Sequence, residues 1–304
     1  MEATALRIDA LTKHYGAIAA VEQLSLEVPA GTVFGFLGAN GAGKTTTIRL
    51  LLDLLRPSGG SASILGFDCR RQSLEVRRRV GYLPSEVPFY PDQTGAGYLK
   101  FLSALGPQPA PPARLAFLFR RFDLSDRDLR RRMRDYSHGM KRKVGLIQAL
   151  MTGAPMLILD EPTSGLDPLM IEAFCETIGE LAREGRTTIF LSSHVLSEVD
   201  RVCERIALIR KGRLVAVRTM QELRLATARR VTVTFARPVA PGPVPGTNTW
   251  HLLTQEPQRW VIDAPGPLGA LVAALADLPV ADVTVAPFAL ADTILRLFGE
   301  DPSC

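Results

Sequence analysis

The sequence has little of what secreted, metal-binding or membrane-spanning proteins need. It holds only four cysteines in 304 residues, and no two of them form a C-x-x-C pair. This spacing argues against a zinc site and a disulfide framework, so we expect reduced thiols in a cytosolic protein. The N-terminus lacks a charged-then-apolar signal sequence. The longest apolar runs, such as residues 268–276, are much shorter than the roughly 18 residues of a membrane span. We therefore expect a soluble chain that reaches a membrane only through a partner.

A strong excess of charge of either sign is also absent. The net charge is +5 and the pI is about 9.2. So small an excess is compatible with a nucleic acid, an anionic membrane face or an acidic partner, and it favours an ordinary solvated surface. One basic stretch, RRRMRDYSHGMKRK at residues 130–143, by itself resembles a nucleic-acid-binding patch. Because a Ser-x-Gly motif lies in its middle, just before a helical pattern, a site for a single phosphate is the competing interpretation.

The apolar runs predict an α/β fold. The first 220 or so residues alternate short apolar runs with helical patterns. A helix is predicted over residues 45–57, ending at Pro57. A hairpin over residues 205–217 is predicted to turn at Lys211 and Gly212. Buried strands are predicted at residues 33–38, 156–160 and 187–192.

Composition changes at two places along the chain. Between about residues 86 and 140, helical patterns flank the proline-rich loop 107–112, which predicts a helical subdomain. After residue 221, short strands and helices surround a Pro/Gly-rich stretch and end in a helical pattern at 289–300. We therefore predict an α/β core over residues 1–221 and a small C-terminal α+β domain over 222–304.

A phosphate-binding loop is the clearest motif. The segment GANGAGKT matches G-x-x-x-x-G-K-[ST] and lies between a predicted strand and a predicted helix. Its glycines let the backbone wrap a phosphate, and the inward N–H groups and the helix dipole bind the anion. We expect Lys44 to contact the β- and γ-phosphates and the Thr45 hydroxyl to bind Mg²⁺. The predicted nucleotide-binding residues of this loop are Gly38, Ala39, Asn40, Gly41, Ala42, Gly43, Lys44, Thr45 and Thr46.

Two acids follow a second predicted strand. MLILD ends at Asp160, which places a carboxylate at the sheet edge where a phosphate-bound Mg²⁺ lies in such proteins. The next residue, Glu161, is placed to orient or deprotonate the attacking water. The sequence therefore predicts binding and hydrolysis of a nucleoside triphosphate with Mg²⁺. It contains no N-K-x-D, the usual guanine-reading motif.

The order of these motifs resembles the ATP-binding cassette (ABC) ATPase family over residues 6–218. LTKHYG at 11–16 resembles the aromatic loop of that family, which implies that Tyr15 stacks on adenine. SGLD at 164–167 resembles the loop that follows the catalytic strand. SSHVLSEVD places His194 at the position of the switch histidine, which implies a contact with the γ-phosphate of ATP.

YSHGMKRK resembles the family signature. On physical grounds, Ser137 is predicted to cap a helix, and a serine and a glycine at a helix N-terminus form an anion site. The resemblance implies that Ser137, Gly139 and Met140 grip the γ-phosphate of ATP bound to a second copy, in a head-to-tail homodimer that opens after hydrolysis. The basic residues that flank this motif, at 130–134 and 141–143, are expected to add positive potential near ATP or to face the partner.

The sequence departs from the family pattern in two places. In GYLPSEVPFY the family usually has Gln after the proline, but here Ser85 follows, and serine is too short to reach Mg²⁺ as Gln does. Glu86 or a water is the alternative ligand. In the signature, His138 stands where glycine is usual, and Met140-Lys141 stands where Gly-Gln is more usual.

This signature variant, the segment 192–216 and the short C-terminal domain are similar to the ATPases of export-type transporters. The resemblance implies an ATPase subunit that drives the export of a drug, antibiotic, lipid or polysaccharide. Its expected partners are a second copy and a separate multi-span membrane permease on the inner face of the cell membrane, with no nucleic acid. Residues 86–135 are expected to dock on the permease.

Two alternatives come from other functional classes. One is a soluble ATPase of the same superfamily that acts in DNA repair or on ribosomes. Against it, only 92 residues separate Lys44 from Ser137, which leaves no room for a long coiled coil, and each motif occurs once. The other is a regulatory protein that binds nucleotide without hydrolysis, and the intact Glu161 and His194 argue against it.

Overall fold

A computed structural model describes residues 3–226, 229–240, 250–264 and 268–287 of the protein. The chain divides into two compact units, Met1–Val217 and Arg218–Cys304. Within the described ranges, no helix combines the length and the apolar character needed to cross a membrane.

Strands and helices alternate through the chain as far as Thr219. The strands are β1 (Thr4–Tyr15), β2 (Ile18–Pro29), β3 (Val33–Leu37), β4 (Gly59–Ile64), β5 (Phe67–Asp68), β6 (Val80–Leu83), β7 (Met156–Asp160), β8 (Thr188–Ser193), β9 (Arg205–Arg210) and β10 (Arg213–Thr219). The helices are α1 (Lys44–Leu51), α2 (Ser73–Arg77), α3 (Gly95–Leu105), α4 (Pro112–Arg121), α5 (Asp126–Arg130), α6 (His138–Leu150), α7 (Pro168–Glu184) and α8 (Leu196–Val202).

A six-stranded sheet forms the centre of the first unit, in the order β10-β9-β3-β8-β7-β6. β3 is parallel to β8 and β9, and β7 is parallel to β6 and β8. Every residue of β3, β7 and β8 is buried, as expected of parallel strands covered on both faces. The ring of Phe190 lies 6.1 Å from that of Phe34 and 5.3 Å from that of Phe36. The predicted α/β class and all three predicted strands are confirmed.

A second, antiparallel sheet has the order β2-β1-β4-β5. β1 and β2 form a long hairpin in which Tyr15 pairs with Ile18 next to the turn. Apolar side chains of this sheet, such as Val21 and Leu24, join the core cluster that also contains Phe34 and Ile48. The hairpin of β9 and β10 turns at Lys211 and Gly212, as predicted, and both residues have positive φ.

The helix after β3 is shorter than predicted. α1 ends at Leu51 and not at Pro57. Asp53 is left-handed, with φ of 54°, and this turn leads into Ser58, whose N–H donates to the carbonyl of Thr12 at the start of the β1–β4 pairing. Leu52 is buried and Leu55 packs on the same core. Apolar contacts therefore continue at helical spacing after the helix has ended.

The segment between β6 and β7 is helical. α3 and α4 form where the two apolar patterns predicted helices, and α5 begins at a Ser125–Asp128 capping box. α6 packs on β6 and β7 of the central sheet, and its residues Val144, Leu146 and Ile147 are fully buried.

The second unit contains α9 (Met220–Ala226), β11 (Arg229–Phe235), β12 (His251–Glu256), β13 (Arg259–Ala264), α10 (Gly269–Leu275) and β14 (Val280–Pro287). Its antiparallel sheet has the order β12-β13-β11-β14, and its core is centred on Trp260, which packs edge-on against Phe235 at 4.8 Å. β12 was not predicted, because four of its six residues are exposed and it carries no alternation. The helix predicted at 289–300 lies outside the described residues.

Phe190 provides a test of the central sheet. Phe190→Ala removes a fully buried ring between two others, and we expect the free energy of unfolding to fall by about 3–5 kcal/mol. Urea unfolding followed by circular dichroism measures this loss. Leu169→Ala, at a side chain that is 77% exposed, is the control and should change stability by less than about 0.5 kcal/mol. Equal losses for the two variants would contradict the packing described.

Candidate active site

The loop between β3 and α1 is built around glycines that either have positive φ or leave no room for a side chain. Gly41 and Gly43 have φ of 79° and 106°. A Cβ on Gly43 would lie 2.5 Å from the carbonyl oxygen of Ala20, and one on Gly38 would lie 2.5 Å from that of Ile209. Main-chain atoms of β2 and β9 therefore hold the loop against the sheet, and only glycine allows this approach.

Lys44 lies inside this loop, with a side chain that is only 5% exposed. Its Nζ donates to the carbonyl oxygens of Gly38 at 2.7 Å and Ala39 at 3.2 Å. The same Nζ lies 3.3 Å from Oε1 of Glu161. A cavity of about 170 Å³ opens beside it, lined by Ala20, Asn40, Gly41, Gly43, Lys44, Thr45, Thr46 and Glu161. Six of the predicted loop residues thus face one cavity together with the predicted base.

Asp160 ends β7 with a fully buried carboxylate. Its Oδ1 accepts a hydrogen bond from Ser192 Oγ at 2.5 Å. Its Oδ2 is buried and has no hydrogen-bond partner among the residues that the structure describes. Burial and the nearby Asp160 carboxylate raise the pKa of Tyr82 to about 12. A buried carboxylate oxygen without a donor is costly, so this atom fits the role of a ligand to a cation.

Glu161 adopts a left-handed backbone conformation, with φ of 49°. Its N–H is within hydrogen-bond distance of two acceptors of Ser192, the carbonyl oxygen at 3.2 Å and Oγ at 3.1 Å. Its Oε1 lies 3.2 Å from Nδ1 of His194. The carboxylate of Glu161 therefore lies between the Lys44 ammonium and the imidazole of His194. Of the two predicted catalytic residues, Glu161 contacts the phosphate loop at Lys44, and His194 contacts the same oxygen of Glu161.

Other predicted residues lie outside this cavity. Tyr15 is 47% exposed at the end of the β1–β2 hairpin, and Lys13 Nζ lies 5.2 Å from the centre of its ring. It is not among the described residues that line the cavity, so its stacking on adenine stays a prediction. Glu86 is exposed, and its role as a substitute for Gln also stays a prediction.

The signature segment forms a helix N-terminus, as predicted. Ser137 caps α6, and its Oγ accepts a hydrogen bond from the N–H of Met140 at 3.2 Å. The imidazole of His138 lies against Gly165, where an added Cβ would be 2.5 Å from the ring. Ser137, Gly139 and Met140 do not line the cavity at Lys44. The signature and the SGLD loop therefore contact each other, and neither is among the described residues that line the cavity at the phosphate loop.

The role of Arg142 was not predicted from the sequence. This residue was expected to flank the signature and to add positive potential near ATP or face the partner. Its side chain is only 3% exposed, and it donates to main-chain carbonyls of the 84–85 and 160–162 segments. Burial lowers the pKa of Arg142 to about 10. The four arginines at 130–134 are exposed, and Arg134, for example, pairs with Asp92. Buried residues are spread over most sides of α6. The spacing of apolar residues in the sequence therefore did not show that Arg142, unlike the neighbouring basic residues, is buried.

The sequence is similar to those of known ATP-binding proteins. The family model described as ABC transporter matches residues 21–164. The daunorubicin resistance ATP-binding protein DrrA3 of Streptomyces coeruleorubidus is 35% identical over 312 residues, which cover 99% of this chain and 98% of that protein. The bacitracin transport ATP-binding protein BcrA of Bacillus licheniformis is 34% identical, over 69% of this chain and 68% of that protein.

Solved structures show the same fold. An ATP-binding subunit of an ABC transporter is 31% identical, superposes with a TM-score of 0.66, and matches over 72% of this chain and 92% of its own length. The dimeric post-hydrolysis cassette MJ0796, bound to ADP and Pi, is 20% identical with a TM-score of 0.65 and matches over 71% and 98% of the two chains. At that identity the second likeness supports the fold alone.

Two glycines of the loop provide a matched test. Both have positive φ, but a Cβ has open space at Gly41 and meets a main-chain oxygen at Gly43. Gly41→Ala should lower the free energy of unfolding by about 1–2 kcal/mol, which is the left-handed cost alone. Gly43→Ala adds the clash and should lower it by at least about 3 kcal/mol. Urea unfolding without nucleotide measures both. A Gly43→Ala variant no less stable than Gly41→Ala would be inconsistent with this loop geometry.

Proposed function

Because this chain belongs to the ATP-binding proteins of ABC transporters, we propose that it is the ATP-hydrolysing subunit of an exporter that moves a drug, antibiotic, lipid or polysaccharide. One observation carries the ATPase assignment. Lys44 Nζ and His194 Nδ1 both lie within 3.3 Å of the Glu161 carboxylate. The exporter assignment is supported by a daunorubicin resistance relative that matches over 99% of this chain, including its second unit.

In this proposal the phosphate loop binds the triphosphate of ATP. Lys44 Nζ now donates to two carbonyl oxygens of its own loop. Phosphate oxygens are stronger acceptors because they are charged. ATP would therefore draw the ammonium away from these carbonyls and from Glu161. The loop N–H groups and the N-terminus of α1 would bind the remaining phosphate charge.

Mg²⁺ is the cation that we assign to Asp160. Its unpartnered Oδ2 and the Thr45 hydroxyl would hold the ion, and oxygen ligands suit it. When bound, Mg²⁺ neutralises charge on the phosphates. Ser192 keeps the other oxygen of Asp160 in place through its 2.5 Å hydrogen bond.

Glu161 is the proposed general base. In the structure its carboxylate is paired with Lys44 and His194, so it is not free to accept a proton from water. Transfer of Lys44 to the phosphates would leave the carboxylate held by His194 on one side and open to the attacking water on the other. His194, which is 44% exposed, would then contact the γ-phosphate. Nucleotide binding would in this way activate the base.

The signature is proposed to act on ATP bound to a second copy of the chain. Ser137 presents a capped helix N-terminus at the surface, away from the cavity of its own chain. Such an N-terminus binds an anion. Two chains related by a twofold axis would each complete the other's site, and loss of the γ-phosphate would release them. Tyr15 is proposed to stack on the adenine.

An aromatic group on the helical segment is the proposed contact with the permease. Tyr90 and Phe101 are 54% and 40% exposed, and their rings meet edge-on at 5.7 Å. Leu105, which is on α3 with Phe101, is 68% exposed. Exposed aromatic patches of this kind mark protein interfaces. The subunit would then lie on the inner face of the cell membrane, held there by its partner.

The functions of the two domains are also proposed. We assign nucleotide chemistry to a core domain of residues 1–221 and an accessory role to residues 222–304. No described feature favours the alternative of an ATPase that acts in DNA repair or on ribosomes.

Glu161→Gln tests the base and the dimer together. Glutamine keeps the shape of the side chain but cannot accept a proton, so we expect turnover to fall at least about 100-fold while ATP binding persists. Since the γ-phosphate stays in place, ATP should drive the variant into a dimer measurable by size-exclusion chromatography with light scattering. Adding Ser137→Arg should abolish that dimer and leave ATP binding by the monomer intact. Hydrolysis by Glu161→Gln at the parent rate would remove Glu161 from the role of base.

The permease assignment is tested by purifying the tagged chain from membranes of cells that express its neighbouring genes. We expect a many-span membrane protein to copurify. The double change Tyr90→Ala and Phe101→Ala should reduce its recovery at least fivefold with ATP binding unchanged. Copurification of ribosomes or DNA in place of a membrane protein would overturn the exporter proposal.

A further inference from the structure

Arg142 is a buried cation whose five N–H groups all donate to main-chain carbonyls. Nε donates to Pro162 at 3.2 Å. Nη1 donates to Pro84 at 2.8 Å and Ser85 at 3.0 Å. Nη2 donates to Asp160 at 2.8 Å and also to Glu161. A guanidinium has five donors, so the whole hydrogen-bonding capacity of Arg142 is used in holding backbone.

These carbonyls belong to two segments that flank the candidate active site. One follows β6 and contains Ser85, at the position where the family usually has Gln. The other ends β7 and contains both site acids. Arg142 itself is on α6, five residues after the cap Ser137, which is about 8 Å along the helix axis. One side chain therefore joins the signature helix to both segments.

The packing around Arg142 allows little independent movement. One turn further along α6, a Cβ on Gly145 would lie 2.8 Å from Val87 and 2.9 Å from Leu83. α6 is therefore in close contact with the segment that follows β6. Because interiors are closely packed, a shift of α6 must move this segment as well.

The main chain of Glu161 depends directly on this cation. Its left-handed conformation, with φ of 49°, is strained for a residue other than glycine. Its N–H is held by Ser192, and its carbonyl oxygen accepts from Arg142 and from the N–H of Ser164 at 3.1 Å. Without Arg142, the carbonyl oxygens would lose charge-assisted donors in a buried place, and the strained backbone would relax.

We propose that Arg142 is a positioning residue for ATP hydrolysis. It fixes the backbone of Glu161 so that the residue lines the cavity of the phosphate loop, and it ties that geometry to the signature helix and to the Pro84–Ser85 segment. The inference rests on the proposed function of Glu161 as the base. ATP of the partner subunit, bound at Ser137, would act through Arg142 on the base and on the 84–85 segment together.

Two substitutions test this role in the full chain. Arg142→Met removes every donor and keeps an unbranched side chain, and we expect kcat to fall at least 10-fold with KM and the Kd for ATP within threefold. Arg142→Lys keeps the charge but cannot reach five carbonyls, so its kcat should lie between those of Arg142→Met and the parent. Arg186→Gln, at an arginine that is 83% exposed, is the matched control and should leave kcat, KM and the Kd for ATP unchanged. Urea unfolding reports whether each variant is folded. If Arg142→Met does not fold, the kcat of Arg142→Lys decides the test.

A double variant separates positioning from general stability. In the Glu161→Gln background the base is already absent, so adding Arg142→Lys should reduce single-turnover hydrolysis by less than twofold. A full additive loss, a parental kcat for Arg142→Lys, or equal changes in KM and kcat would each overturn the role of Arg142. Absence of ATP hydrolysis by the parent chain would instead reject the proposed function.

Discussion

Parallel pairing of β8 with both β3 and β7 is the constraint on which the site depends. Leu37 of β3 lies beside Ser193, and Asp160 of β7 lies beside Ser192. The chain leaves all three strands at the same edge of the sheet, so the glycine loop, the two acids and His194 arrive at one place. A change of register by one residue in β8 would reverse which side chains face the site and would separate Ser192 from Asp160. The fully buried apolar strands prevent this slip, because it would disturb the core on both faces of the sheet.

The site contains buried polar groups whose hydrogen-bonding and charge partners within the chain are incomplete. Lys44 and Asp160 are buried charges, and Oδ2 of Asp160 has no hydrogen-bond partner among the described residues. Lys44 binds carbonyls of its own loop and the carboxylate of Glu161, whose backbone is strained. Such features are costly, and a magnesium–nucleotide complex supplies the charges that would relieve them. The arrangement thus favours ligand binding at a cost to the stability of the free protein.

Arg142 differs from these groups because its hydrogen bonds are complete within the chain. It supports the backbone of the site and has no donor left for a ligand. The surface arginines nearby, such as Arg134, pair with exposed acids, and such pairs contribute little to stability. One basic stretch therefore contains residues with unrelated physical roles. A single charge count over 130–143 does not distinguish them.

Local sequence signals determined much of this protein. The glycine loop, the apolar strand before Asp160 and the serine cap of α6 each depend on residues within a few positions of one another, so their patterns predicted both the elements and the nucleotide chemistry. The signals failed where distant contacts decide. α1 ends at Leu51 because the chain must turn back to pair β4 with β1. Arg142 is buried because carbonyls 18 to 58 residues away converge on it. Only the tertiary structure could bring those carbonyls together, since a buried cation is stable only where the fold supplies enough acceptors.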